Sequence, residues 1–99
     1  MSPAPEITDV ARESRYVLTL DGSAAGFMDY RVRGDVLIAV HTEIDAAYAG
    51  QGLGDALVRH VLDQVRDTGM SLRPLCPFVQ RFLQKHPEYD DLVAPTEGS

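Results

Sequence analysis

Three glycines alternate through Gly50-Gln51-Gly52-Leu53-Gly54, directly after an apolar run and directly before an amphipathic one. A residue without Cβ admits positive φ and lets a ligand approach the backbone closely. If a helix opens near Leu53, its first amides have no partner within the helix and sit at the positive end of the macrodipole. N–H groups in that arrangement bind phosphate or another anion. Two familiar phosphate cradles are excluded by spacing. A dinucleotide fingerprint, G-x-G-x-x-G, counted from Gly50 requires glycine where Asp55 stands. A P-loop requires Gly-Lys-Ser/Thr, which Leu53-Gly54-Asp55 does not provide. The same residues also suit a tight strand-to-helix turn that binds nothing. The other side chains with chemistry near this loop are His41 and Glu43, just before it, and Cys76, after the amphipathic segment.

These residues need a scaffold, and the patterning predicts one. Tyr16–Leu20, Gly26–Val32 and Val36–Val40 read as strands of an antiparallel meander, with Asp21-Gly22 as a hairpin turn between the first two. Leu53, Leu57, Val58, Val61, Leu62 and Val65 fall at helical spacing, which predicts a helix over Leu53–Thr68 stopped by Gly69. Ser71–Leu75 reads as a strand parallel to Val36–Ile44 through a right-handed crossover. Pro77 opens a second helix over Phe78–Lys85, with Pro87 beyond it. Met1–Thr8 lacks periodicity and is expected to fray. The expected organisation is a flexible N-terminus over 1–12, one folded domain over 13–90 and a flexible tail over 91–99. The fold class is α/β, a mixed sheet of antiparallel meander plus one parallel crossover strand, with two helices.

Gly-Gln-Gly-Leu-Gly resembles motif A of the GCN5-related N-acetyltransferases, written Q/R-x-x-G-x-G/A. Gly52 and Gly54 match its glycine positions, and Ala49 stands where Arg or Gln is usual. Pro74-Leu75-Cys76-Pro77-Phe78 and His86-Pro87-Glu88-Tyr89 are similar to the very small, single-domain branch of that superfamily. The resemblance spans Tyr16 to Tyr89. It implies a minimal acyl-CoA N-acyltransferase fold with acetyl-CoA as cofactor. Gly50, Gln51, Gly52, Leu53 and Gly54 would then cradle the pyrophosphate, and Ile44 with its neighbours would pair with the pantetheine arm. Only Asp21–Ala25 separates the first two strands, where larger relatives insert helices that wall the acceptor site. Here that side is expected to be open or completed by a partner.

In such a fold, acetyl transfer requires loss of a proton from the amine, polarisation of the thioester carbonyl and protonation of the leaving thiolate. Glu43 is the candidate base, directly or through water. His41, two residues away, shares its face and is a candidate relay, since imidazole titrates near neutral pH. Cys76 precedes a predicted helix N-terminus, a setting that favours thiolate. Its roles are nucleophile, acid for the leaving group, or small buried hydrophobe. Phe82 stands where a tyrosine acid is common in the superfamily, so Cys76, solvent or Tyr89 must supply that proton. Phe78 and Phe82 are expected in the core. The alternatives to an enzyme are a non-catalytic CoA-binding module and a small interaction protein.

Composition bounds the remainder. Ninety-nine residues make one domain, and 44% apolar content suffices for a core. No apolar run reaches the length of a membrane span, and Met1–Pro5 lacks the features of a secretory signal. One cysteine precludes an internal disulfide and fits a cytoplasmic setting. A net charge of −6 argues against nucleic acid and favours an amine or basic peptide as acceptor. Arg81 and Lys85 are candidate cations for the coenzyme phosphates. No metal site is expected, and the chain is expected to be a monomer or weak homodimer.

Overall fold

Alternation of apolar residues along four consecutive strands builds a sheet with one apolar face, and two amphipathic helices cover it. The computed structural model describes residues 4–95. The strands are β1 (Glu6–Val10), β2 (Arg15–Leu20), β3 (Ser23–Arg33), β4 (Val36–Ile44) and β5 (Ser71–Pro74). Helix α1 (Leu53–Asp67) joins β4 to β5, and α2 (Pro77–Lys85) follows β5. The sheet order is β1-β2-β3-β4-β5; only β4 and β5 run parallel. Asp21 and Gly22 both take positive φ, 54° and 81°, the geometry of a two-residue turn matched to strand twist. The mixed sheet, the crossover helix and the second helix are as the sequence predicts.

Both helices pack on the same face. Leu57, Val58, Val61 and Leu62 of α1 and Val79 of α2 are fully buried against Leu18, Met28 and Leu72 of the sheet. Each such side chain contributes on the order of 1.5–3 kcal/mol by leaving water. The opposite face of the sheet carries Arg15, Phe27, Asp29, Ile38, His41 and Glu43 and has no helix on it.

Two bulges set the strand geometry. In β3, Leu18 is opposite Gly26 and Thr19 opposite Ala24, so Ala25 is the extra residue. In β4, Tyr30 is opposite Ala39 and Asp29 opposite His41, so Val40 is extra. A bulge bends its strand and raises the local twist. The second bulge lies where β4 parts from β5.

The ends of the chain depart from the expectation of flexible segments. Within 1–12, Glu6–Val10 is a paired strand, because Ile7 packs on the core and Tyr30 Oη donates to Asp9 Oδ1 at 2.6 Å. Within 91–99, Asp91 pairs with Arg66, Leu92 is buried, and Ala94 N donates to Leu72 O at 2.7 Å. The remainder of the two segments, 1–3 and 96–99, lies outside the described residues.

Candidate active site

The glycine loop forms a cleft at the C-terminal end of β4. Asp45 Oδ1 caps a 3-10 turn over Ala46–Tyr48 by accepting from Ala47 N at 2.9 Å, and the chain then enters the glycines. Gly50 and Gly52 take φ of 82° and 74°, and a Cβ on either would meet nothing within 4 Å. The space above their backbone is therefore open to a ligand. Gly52 caps α1 without any side-chain hydrogen bond. Ala56 N bonds to Gly52 O, while the amides of Leu53, Gly54 and Asp55 have no backbone acceptor among the described residues. The cleft encloses about 290 Å³, with Ile44, Tyr48, Gly50, Gly52 and Phe78 among its walls. Gln51 is exposed and its side chain is not part of the lining.

Gly54 serves a different purpose from its neighbours. Its φ is not positive, and a Cβ there would fall on the ring of Phe78. The glycine lets α1 and α2 approach, and that approach sets Phe78 as a wall of the cleft. Phe78 is therefore half-buried beside the cleft rather than a core residue, whereas Phe82 is in the core at 2% exposure.

Beneath the cleft, β4 and β5 separate. They pair from Val36–Ser71 to Ala39–Pro74. The Ala39 carbonyl then accepts from both Leu75 N and Cys76 N, each at 3.0 Å. There β5 ends, while β4 continues to Ile44. Cys76 lies at the end of this separation as the N-cap of α2, 2% exposed, and its Sγ is 3.4 Å from Thr42 Oγ1. Thr42 and Ile44 project on the helix face, so the thiol and the glycine cleft share one side of the sheet.

His41 and Glu43 project on the other side. The Nε2 of His41 lies 3.4 Å from Glu43 Oε1, and both side chains are more than half exposed. The His41 ring is 5.9 Å from that of Phe27. Arg15 lies over Phe27 at 4.1 Å and holds Asp29 with contacts of 2.7 and 3.3 Å. The hydrogen bond to Asp29 is the main reason its guanidinium is pushed further above its ordinary range. Glu13, Arg15, Phe27, Glu43 and Asp45 border a concavity of about 330 Å³. The structure thus brings His41 and Glu43 together and separates both from Cys76 by the thickness of the sheet.

Two tyrosines change standing. Tyr89 does not reach the site: its hydroxyl donates to Asp63 at 2.8 Å and accepts from Arg59 at 3.3 Å, against the outer surface of α1. Tyr48 was not legible as a site residue, yet it lines the cleft; the Asp45-initiated turn that aims it is the local signal. Of the expected cations, Arg81 lies 5.7 Å from the Phe78 ring beside the cleft, while Lys85 is exposed in the last turn of α2.

The GCN5-related N-acetyl-transferase family profile matches residues 15–92. Among curated proteins none matches this chain. A GCN5-like protein from Staphylococcus aureus has the same fold, with a TM-score of 0.70 and 24% identity over 94% of this chain and 91% of that one. The ribosomal-protein-S18-alanine N-acetyltransferase of Escherichia coli aligns with a TM-score of 0.56 and 32% identity, over 59% of this chain and 38% of that one. N-acetylglutamate synthase of Neisseria gonorrhoeae, solved with coenzyme A and N-acetyl-glutamate, aligns with a TM-score of 0.60 and 18% identity over 79% of this chain and 22% of that one. This chain therefore spans less than half the length of the latter two. No helix among the described residues is long and apolar enough to cross a membrane.

Proposed function

The chain belongs to the GCN5-related N-acetyltransferase family, and from that premise we propose that it transfers the acetyl group of acetyl-CoA to an amine that approaches the open face of the sheet. The observation that supports this most is one juxtaposition: the glycine cleft, with its unpaired amides, opens at the same end of β4 at which β4 and β5 part. The residues fit the coenzyme. Amides following Gly50 and Gly52 suit a pyrophosphate, and the unpaired edge of β4 up to Ile44 suits an amide-bearing arm. Gln51 contributes its backbone only.

Acetyl-CoA supplies the activated acetyl group. Glu43, directly or through water, takes a proton from the incoming ammonium, with His41 as relay. The amine nitrogen then bonds to the thioester carbonyl carbon. As the carbon–sulfur bond breaks, the nitrogen would lose its second proton to solvent, and the leaving sulfur would take a proton from solvent or from Cys76, which solvent then reprotonates. A second reading routes the acetyl group through the Cys76 sulfur before the amine accepts it. Its support is the position of Cys76 at the end of the strand separation. A third keeps the coenzyme as a bound ligand without turnover. A lone thiol without a disulfide fits a reducing cytoplasm.

Calorimetry with acetyl-CoA, intact mass after incubation with it and turnover over a panel of amines test the proposal together. Saturable binding with turnover and no adduct is the expected result. A stable acetyl adduct lost in Cys76→Ala selects the covalent route. Binding without turnover on any amine selects the binding module, and absence of saturable binding overturns all three.

A further inference from the structure

We propose that Arg31, Arg33 and Arg73 form an anion subsite on the open face, so that the acetyl acceptor is an amine carrying a carboxylate or phosphate at some distance from its nitrogen. The link to acetyl transfer rests on the function proposed above; the anion binding itself does not.

Strand register assembles the subsite. Leu72 points into the core, so its neighbour Arg73 points to the open face. Arg31 is opposite Ile38, and Ile38 is opposite Arg73; Arg33 is opposite Val36. Two half-buried aliphatic residues thus lie between arginines from both flanking strands. Arg33, Asp35, Val36, Ile38 and Arg73 line a concavity of about 510 Å³ at this end of the face.

The charge pattern calls for a ligand. The chain carries nine Lys and Arg residues against fifteen Asp and Glu, yet three of the nine gather here. Elsewhere, Arg15 pairs with Asp29 and Arg66 with Asp91, Arg59 donates to the Tyr89 hydroxyl, and no second group of arginines shares one concavity among the described residues. Among the described residues, none of Arg31, Arg33 and Arg73 makes an ion pair, although Asp35 borders the same concavity. Arg31 donates only to the Tyr30 carbonyl, at 3.0 Å. Neighbouring like charges repel, and no carboxylate of the fold pairs with them among the described residues. Guanidinium groups offer planar paired donors to carboxylate and phosphate, and an aliphatic floor lowers the local dielectric and strengthens that attraction.

Position ties the subsite to the reaction. Ile38 is three residues before His41 on β4, about 10 Å at ~3.3 Å per residue. The bulge at Val40 returns both side chains to the open face. The far end of that face, by Glu43, is bordered by Glu13 and Asp45, while Arg15 there is paired with Asp29, so the net charge suits the ammonium group. The glycine cleft is on the other face, so the arginines do not serve the pyrophosphate.

The test compares ω-amino carboxylates of increasing chain length with matching alkylamines that lack the carboxylate. For the best-fitting length, kcat/KM is expected to exceed that of the matched amine by about tenfold or more. Arg33→Gln/Arg73→Gln is expected to raise KM about tenfold more for the carboxylate series than for the plain amines, with acetyl-CoA affinity unchanged. Equal treatment of the two series, or a change in acetyl-CoA affinity, overturns the subsite while leaving acetyl transfer standing. A titration of the wild-type protein with inorganic phosphate, followed by backbone amide resonances, reads the subsite without turnover or variants. Saturable shifts centred on Ile38 and Arg73 are expected even if no amine is acetylated, and their absence overturns the proposal.

Discussion

The two faces of β4 around its bulge are built in different ways. On the helix face, apart from the Cys76 thiol, the groups that suit the anionic part of a ligand are main-chain: the end of the strand beyond Ala39 and the amides after Gly50. Side chains there, such as Ile44 and Phe78, shape the cleft rather than bond within it. On the open face the groups are side chains carried in from β2, β3 and β4, with Arg15 over Phe27, Phe27 beside His41 and His41 beside Glu43. A main-chain site survives change in side chains as long as the backbone keeps its path. A side-chain site can be altered by one substitution. One half of the molecule is therefore suited to a constant ligand and the other to a variable one.

The largest expected effect tests whether the halves are separable. Glu43→Gln keeps the shape and removes the proposed base, and general-base catalysis is worth about 10²–10⁴ in rate. We expect kcat to fall within that range while the acetyl-CoA Kd stays within about twofold, since Glu43 faces away from the cleft. A parallel change in Kd breaks the comparison. A fall in kcat of less than about tenfold removes Glu43 from the chemistry.

The next effect lies on the other face. Gly54→Val drives new atoms into the Phe78 ring. Overpacking of this kind costs about 1–3 kcal/mol of stability. The easiest relief is movement of Phe78 into the cleft, so acetyl-CoA binding is expected to weaken about tenfold or more by calorimetry. Phe78→Leu in the Gly54→Val background is expected to recover most of it. Stability loss without loss of affinity means that the cleft wall is not set by this contact.

The same division explains what was legible in the sequence. The glycine loop shows itself because backbone geometry leaves a local mark: alternate glycines between a strand pattern and a helix pattern. The meander, the crossover helix and α2 follow from local periodicity in the same way. The open face leaves no local mark. Arg31, Arg33 and Arg73 are ordinary strand-edge charges until the register places Ile38 between them. Phe78 and Phe82 are alike in sequence, and only the approach permitted by Gly54 sends one to the cleft and the other to the core. The β1 strand is not legible because its support is long-range: the pairing with β2, the packing of Ile7 on the core and the hydrogen bond from Tyr30. The place of Cys76 at a strand end before a helix is legible, but its sequence neighbours do not say that the sheet stands between it and Glu43.

That β1 support makes a third prediction, on stability alone. Tyr30 is 5% exposed, and burial first, then its bond to Asp9, raises its ionisation above the ordinary phenol range. Tyr16 is raised too, again by burial first and then by Asp9. A phenol harder to ionise folded than unfolded gives stability that is fully present below about pH 10 and is lost as pH rises beyond it. The melting temperature is therefore expected to drop above about pH 10. Tyr30→Phe is expected to cost about 1 kcal/mol at neutral pH and to flatten the alkaline drop. An unchanged alkaline drop in the variant assigns it instead to Tyr16 and to Tyr89, whose ionisation is raised by burial first and then by its bond to Asp63.

The smallest effects probe the electrostatics at the mouth of the cleft. Asp55 occupies the first turn of α1 and borders the cleft. Its carboxylate stabilises the helix dipole by about 0.3–1 kcal/mol, and the same charge repels any phosphate bound at those amides. Asp55→Asn is therefore expected to lower the melting temperature slightly while tightening acetyl-CoA binding by about threefold, two effects of opposite sign. Ala49→Arg adds a cation at the cleft edge without touching the helix cap, so it is expected to tighten binding by a similar factor with stability unchanged. Both gains should shrink with added salt, because charges at an exposed rim are screened over about 10 Å at 0.1 M. If neither substitution moves Kd, recognition on this face is wholly main-chain, and the contrast with the open face becomes sharper. If Asp55→Asn weakens binding, the carboxylate is positioning the loop amides. The cleft would then depend on a side chain after all, which narrows the difference between the two faces.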